Sequence, residues 1–90
     1  MDDEAARVML EHLEGWSVVE SVRLAKDYRF DDFRTALAFV NRVAEVAERE
    51  RHHPDIELGW GRVRIELWTH ASGGLTENDF ILAAHADSVL

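Results

Sequence analysis

Residues 55–67 read DIELGWGRVRIEL, and this stretch decides the fold because apolar and polar side chains alternate on both sides of a glycine. Alternation of this kind is typical of two strands that each bury one face. Gly61 suits the first central position of a two-residue type II′ turn, so we expect a hairpin that turns at Gly61 and Arg62. The cross-strand pairs in this register are Trp60 with Val63, Leu58 with Ile65, and Ile56 with Leu67. These pairs place the apolar side chains on one face of the hairpin.

Three histidines are expected close together at the open end of the predicted hairpin. Carried outward, the same register sets His53 opposite His70, and His52 lies next to them. Glu48 stands four residues before His52 at the end of a predicted helix, where a carboxylate can orient an imidazole. Because histidine titrates near pH 6.5, such a set supplies proton donors and acceptors at about neutral pH. The residues therefore indicate acid and base chemistry without a covalent step.

Two segments before the hairpin have clear periodicity. Residues 31–50 open with two aspartates and carry apolar side chains at helical spacing over about half of the helix circumference. That face is wider than one contact with a sheet requires, so part of it is expected to pack against another subunit. Residues 16–30 instead alternate with a period near two, which predicts two strands that turn near Glu20 and Ser21. Trp16 and Trp60 are expected in the core.

Helices are predicted at both ends of the chain. Residues 3–14 form the first, with Asp2 or Asp3 as its N-cap and Gly15 suited to the left-handed residue past its end. Thr76 and Asp79 precede an apolar run in the pattern of a capping box, which opens a last helix. The element order predicts an α+β fold, a four-stranded antiparallel sheet with three helices packed on one face. A single domain over residues 1–90 is expected.

The composition narrows the classes of function. The chain has 18 acidic and 10 basic residues and a net charge of −8, so it is not expected to bind nucleic acid directly or to bind an anionic membrane. Apolar runs such as residues 36–40 are far too short to span a bilayer. The absence of cysteine excludes disulfides, thiol catalysis and thiolate metal sites, and is compatible with a reducing compartment. A cytoplasmic protein is therefore expected.

Several of these residues together resemble the signature of the pterin-4a-carbinolamine dehydratase family. The matching motifs are Glu48, His52-His53-Pro54, Trp60, Thr69-His70 and Gly74-Leu75-Thr76-Glu77-Asn78-Asp79. The likeness extends from about Trp16 to the last helix, and the spacing between the His-His-Pro and Thr-His elements also agrees. It implies a hydro-lyase that dehydrates 4a-hydroxytetrahydrobiopterin, or a related pterin, to the quinonoid dihydropterin. Such an enzyme recycles the cofactor of aromatic amino acid hydroxylases.

The resemblance also implies roles for individual residues. The implied roles are catalysis and pterin binding by His52, His53 and His70, support by the carboxylates Glu48 and Asp79, and substrate contact by Pro54, Trp68 and Thr69. Trp68 stands where a smaller residue is expected, so it narrows or lines the site. The resemblance implies no metal and no redox cofactor, a small-molecule pterin substrate, and a homodimer or a tetramer.

Other interpretations of the same residues stay open. His52 and His53 also fit polar loop residues at a helix end, and Asp79 fits a capping residue without a catalytic part. Three histidines and a carboxylate suit zinc or iron, although neighbours in extended chain point to opposite faces and do not easily share one ion. His12 and His85 match no motif and are expected on the surface. Relatives of this family that act as dimerisation partners of a homeodomain transcription factor, or as assembly chaperones, make a non-catalytic interaction module the alternative function.

Overall fold

The computed structural model describes residues 1–69 and 74–90. The elements within those residues are α1 (Asp3–Leu10), β1 (Ser17–Val19), β2 (Arg23–Arg29), α2 (Phe33–Glu50), β3 (Asp55–Leu58), β4 (Arg62–Leu67) and α3 (Glu77–Ser88). The strands form one antiparallel sheet in the order β1-β2-β4-β3. The predicted α+β fold is therefore confirmed. In the part of the chain described, no helix is both long and apolar enough to cross a membrane.

The core lies between one face of the sheet and the helices. Alternate residues of β4 are buried because a strand points successive side chains to opposite faces. The sheet residues in this core are Leu24, Tyr28, Val63, Ile65 and Leu67, and the buried helix residues include Ala36, Phe39, Val43, Val46, Phe80, Leu82 and Ala83. The other face of the sheet carries mostly charged side chains. This arrangement brings the end of α2 and the start of α3 close to the same end of the sheet.

Local signals fix most of the element boundaries. The Asp2 carboxylate accepts from the Ala5 N–H at 2.8 Å, so the predicted cap of α1 is confirmed. The helix ends at Leu10 rather than near residue 14, because the chain continues in i to i−3 turns. Glu20 and Ser21 both have positive φ, 53° and 63°, which is the pattern of a type I′ hairpin turn at the predicted place.

The register predicted for the second hairpin is wrong by two residues. Leu58 pairs with Val63, and the Gly59 N–H donates to the Arg62 carbonyl at 2.8 Å. A shift of two residues keeps every side chain on the same face, so the apolar pattern does not distinguish the two registers. Gly61 meets a different requirement: a Cβ there would lie 2.8 Å from the Phe30 carbonyl oxygen.

The shift in register moves two predicted side chains. Trp60 lies in the hairpin loop and is 71% exposed, so its prediction as a core residue is wrong, whereas Trp16 is buried as predicted. The observed register, continued outward past its last pair, brings His53 level with Trp68 and not with His70. The pairing of His53 with His70 thus loses its basis, and His70 itself lies outside the described residues.

A polar cluster ties the end of α3 to the sheet. The Asp87 carboxylate accepts from Trp16 Nε1 at 3.0 Å, Lys26 Nζ at 2.9 Å and the Tyr28 hydroxyl at 2.6 Å. Burial, together with the hydrogen bond to this carboxylate, raises the pKa of Tyr28 far above its ordinary value. The phenol therefore stays protonated and serves as a donor.

Candidate active site

The end of α2 turns His52 toward the body of the protein. Arg51 follows the helix in the left-handed conformation, with φ 55° and ψ 38°. The His52 N–H donates to the Ala47 carbonyl at 3.1 Å, and the Arg51 N–H donates to the Glu48 carbonyl at 3.4 Å. This pair of bonds is a Schellman motif, which usually places glycine where Arg51 stands. The motif reverses the chain, so His52 points back toward α3.

His52 meets Asp79, and we call these two side chains the buried pair. Nε2 of His52 lies 2.5 Å from Oδ1 of Asp79. Asp79 is 0% exposed, while the His52 side chain keeps 19% of its surface exposed. A buried carboxylate is stable only when it is hydrogen-bonded or paired. The imidazole of His52 is such a partner, and part of its surface faces solvent.

The second oxygen of Asp79 is also occupied. Oδ2 accepts from the Thr76 N–H at 2.9 Å and from the Thr69 hydroxyl at 2.9 Å. The bond from Thr76 is the carboxylate half of the capping box that opens α3, as predicted from the sequence. Asp79 therefore makes two kinds of contact at once, because the same carboxylate caps the helix and faces the imidazole.

The contacts of Asp79 bear on which ring nitrogen of His52 carries the proton. Two hydrogen bonds to Oδ2 favour the ionised carboxylate. An ionised carboxylate can only accept, so opposite it Nε2 of His52 donates. In the neutral ring Nδ1 then carries the lone pair, which can exchange a proton with a ligand.

His53 faces away from the buried pair. Its Nε2 contacts Oε2 of Glu48, and its side chain is 63% exposed. Glu48 thus contacts His53 rather than His52, because helical spacing ends at Glu50 and the left-handed turn follows. An exposed pair of this kind contributes little to stability. The exposed His53 side chain remains accessible to a ligand.

Of the remaining predicted residues in the described part of the chain, Thr69 contacts the buried pair directly. Thr69 holds Asp79 through its hydroxyl, and its backbone pairs with Gly74 on the other side of residues 70–73. Trp68 is half-buried, with the Arg23 guanidinium 5.2 Å from its ring centroid. Pro54 is half-buried directly before β3. Within residues 1–69 and 74–90, no three histidine or carboxylate groups come together as a metal site would require.

One contact near the site was missed by sequence reasoning. Nδ1 of His85 contacts Oε2 of Glu50, although the sequence placed His85 among unassigned surface residues. The two lie 35 residues apart, and no helical or strand spacing relates them. Only the antiparallel packing of α2 and α3 brings them together, so no local signal in the sequence could have found this contact.

Comparisons with known proteins point to one family. Residues 1–89 match the family model for pterin 4 alpha carbinolamine dehydratase. A protein of Rubrobacter xylanophilus named for this dehydratase is 55% identical over 75 residues, which cover 83% of this chain and 70% of that protein. Pterin-4-alpha-carbinolamine dehydratase 2, mitochondrial, of Arabidopsis thaliana is 48% identical over 93% of this chain, which spans 47% of that protein's length.

Solved structures give the same fold. A transcriptional coactivator/pterin dehydratase from Brucella melitensis superposes with a TM-score of 0.93 at 30% identity, over 99% of this chain and 96% of that one. A pterin dehydratase-like RuBisCO assembly factor of the alpha-carboxysome superposes with a TM-score of 0.72 at 25% identity, over 87% and 92% of the two chains. Sequence, family model and fold agree, and the chain belongs to the pterin 4 alpha carbinolamine dehydratase family.

Proposed function

We propose that this protein dehydrates a 4a-hydroxytetrahydropterin to the quinonoid dihydropterin by histidine acid and base catalysis. The observation that carries the proposal is the buried pair, in which a fully buried carboxylate holds the imidazole of His52 by one nitrogen and leaves the other for proton exchange. Family membership and relatives named as dehydratases confirm the predicted enzyme class, a hydro-lyase.

The reaction needs one proton donor and one proton acceptor. The 4a-hydroxyl leaves as water after it gains a proton, and N5 loses its proton as the C4a–N5 double bond forms. No electron is exchanged with a cofactor, and atoms balance as substrate to product plus water. Positioned acids and bases typically accelerate such a step by about 10² to 10⁴.

The geometry supports His52 as the base. Its Nδ1 carries the lone pair in the neutral ring, and Asp79 stabilises the imidazolium that forms when N5 gives up its proton. Thr69 acts through Asp79, since its hydroxyl donates to Oδ2. We assign the acid to His53 or His70, with Glu48 orienting His53, and substrate contact to Pro54 and Trp68.

The test is the dehydration rate of synthetic 4a-hydroxytetrahydropterin with purified protein, compared with the spontaneous rate. We expect single alanine variants of His52, His53 and His70 to lower turnover, with His52→Ala falling by on the order of 10² or more. His12→Ala, at an exposed histidine in the turn after α1, is the matched control and should keep parental turnover. A rate equal to the spontaneous one in the parental protein would refute the proposal.

An interaction module is the second candidate. It is favoured by the solved relatives, of which one is described as a transcriptional coactivator as well as a dehydratase and the other as a RuBisCO assembly factor. A folded protein without dehydratase turnover would support this candidate. The complete Glu48, His52, His53 and Asp79 set favours the enzyme, because a purely structural partner does not need an imidazole backed by a buried carboxylate.

We also propose that the protein is a homodimer or a tetramer. Phe33 and Leu37 on α2 are 45% and 39% exposed, and the exposed Ala44 continues the same stripe about two turns after Leu37. The stripe lies beside the buried face of the helix, so the sheet does not cover it. Apolar side chains aligned in this way suit the same stripe of a second copy of the chain.

A further inference from the structure

A second contact joins the two segments that carry the buried pair. Nδ1 of His85 on α3 contacts Oε2 of Glu50 in the last turn of α2. Further back, Nε of Arg42 on α2 donates to the Val89 carbonyl, just after α3, at 2.7 Å. The two helices therefore run antiparallel and are joined by side-chain contacts in a row. The buried pair is the next contact in that row, beyond Glu50 and His85.

The Glu50–His85 contact lies directly beside the turn that aims His52. Glu50 is followed by Arg51, whose φ of 55° is disfavoured for a residue with a Cβ. A residue keeps such a conformation only when its surroundings hold it there. The bond from the His52 N–H to the Ala47 carbonyl is one restraint from within α2. The contact with His85 is a restraint from the other helix, and it is better shielded from solvent than the His53–Glu48 pair, since the Glu50 side chain is 21% exposed and that of Glu48 76%.

We propose that Glu50 and His85 are positioning residues that hold Nε2 of His52 at bonding distance from Oδ1 of Asp79. The inference rests on the proposed function of the buried pair. The Glu50–His85 contact and the buried pair both join the end of α2 to α3. Without the Glu50–His85 contact, the end of α2 can move relative to Asp79, which lies in the first turn of α3. Displacing a catalytic group by about 1 Å can cost on the order of 10²-fold in rate.

The test compares His85→Ala with His85→Asn, because an asparagine side-chain N–H occupies nearly the place of the Nδ1–H of histidine. His12→Ala and Glu45→Ala, both exposed, are matched controls for the loss of an imidazole and of an α2 carboxylate. The readouts are the ¹⁵N shifts of the His52 ring, which report its tautomer, the kcat and KM for 4a-hydroxytetrahydropterin, and the melting temperature.

We expect His85→Ala to reduce the Nε2–H tautomer of His52 and to lower kcat about tenfold, with KM changed by less than about twofold. His85→Asn should restore both, and the controls should match the parental protein. An unchanged His52 tautomer with parental kcat in His85→Ala would overturn the proposal, as would the absence of rescue by asparagine. If His85→Ala does not fold, Glu50→Asp, which shortens the side chain by one methylene, gives the same comparison. The tautomer is measured without turnover, so a parental protein inactive on pterins refutes the proposed function and leaves this proposal to be decided by the ¹⁵N shifts.

Discussion

Replacing Asp79 with asparagine should abolish most of the catalysis while leaving the fold in place. Asparagine has the same shape but offers one acceptor oxygen and one NH₂ donor. The Thr76 N–H needs the acceptor, so the NH₂ group faces Nε2 of His52, which lies 2.5 Å from this side chain in the parental protein. Nε2 must then accept, the proton moves to Nδ1, and the lone pair that serves as the base is lost.

The size of the effect follows from known analogues. An inverted histidine tautomer costs about 10⁴ in the serine protease triad, and general base catalysis is worth about 10² to 10⁴, so we expect turnover of Asp79→Asn to fall by on the order of 10² to 10³. Asp79→Ala instead leaves the donors of Thr76, Thr69 and His52 without this acceptor, at about 1 to 3 kcal/mol for each one left unsatisfied. Water can satisfy Nε2 of His52, whose side chain is 19% exposed, so two donors stay unsatisfied and we expect alanine to lower the free energy of unfolding by about 2 to 6 kcal/mol.

The two variants separate chemistry from folding. Turnover is measured by stopped-flow dehydration of 4a-hydroxytetrahydropterin, and stability by urea denaturation. Parental turnover in a folded Asp79→Asn protein would refute the role of the buried pair. Parental stability in Asp79→Ala would show that the carboxylate does not hold the start of α3.

Three further predictions concern assembly, pH and metal. Leu37→Glu should convert the oligomer to a monomer in light scattering at micromolar concentration, while Arg34→Glu, exposed and off the stripe, should not; a parental monomer would contradict the proposed interface. Hydrogen bonds from the backbone N–H and hydroxyl of Thr35 lower the pKa of Asp32 below its ordinary 3.8. The stabilisation from this charged cap is therefore complete above pH 3.8, and it is lost as the pH falls through the lowered pKa of the folded state. The advantage in unfolding free energy of the parental protein over Asp32→Asn should therefore be constant near neutral pH and shrink below about pH 4, and an advantage unchanged down to pH 2 would contradict it. Turnover should survive a chelator, because the proposed steps move only protons; zinc lost in parallel with activity would refute this.

Much of the fold could be predicted because its signals are local. The aspartate caps, the strands around Glu20 and Ser21 and the capping box at Thr76 each depend on a few neighbouring residues. The register of the second hairpin could not be predicted, since a shift of two residues leaves the same side chains on the apolar face. Gly61 was ambiguous, because close approach to the Phe30 carbonyl and a turn with positive φ both require glycine.

The sequence predicted which residues belong to the site better than it predicted their contacts. The resemblance to the family named His52 and Asp79, yet the bond between them depends on the left-handed turn at Arg51, which no glycine marks in the sequence. Glu48 was expected to contact His52 because helical spacing was carried past the end of α2. The contact of Glu50 with His85 depends on the packing of two helices, and periodicity holds no information on it.

The central claim is that Nδ1 of His52 exchanges a proton with the pterin, and a crystal structure with a dihydropterin bound tests it most directly. The account predicts Nδ1 of His52 within hydrogen-bond reach, about 3 Å, of N5 or of the 4a position, with Nε2 still bonded to Asp79. A pterin bound with N5 and C4a facing another part of the surface, for example the groove between α1 and β1 that Trp16 and Val18 line, would contradict it.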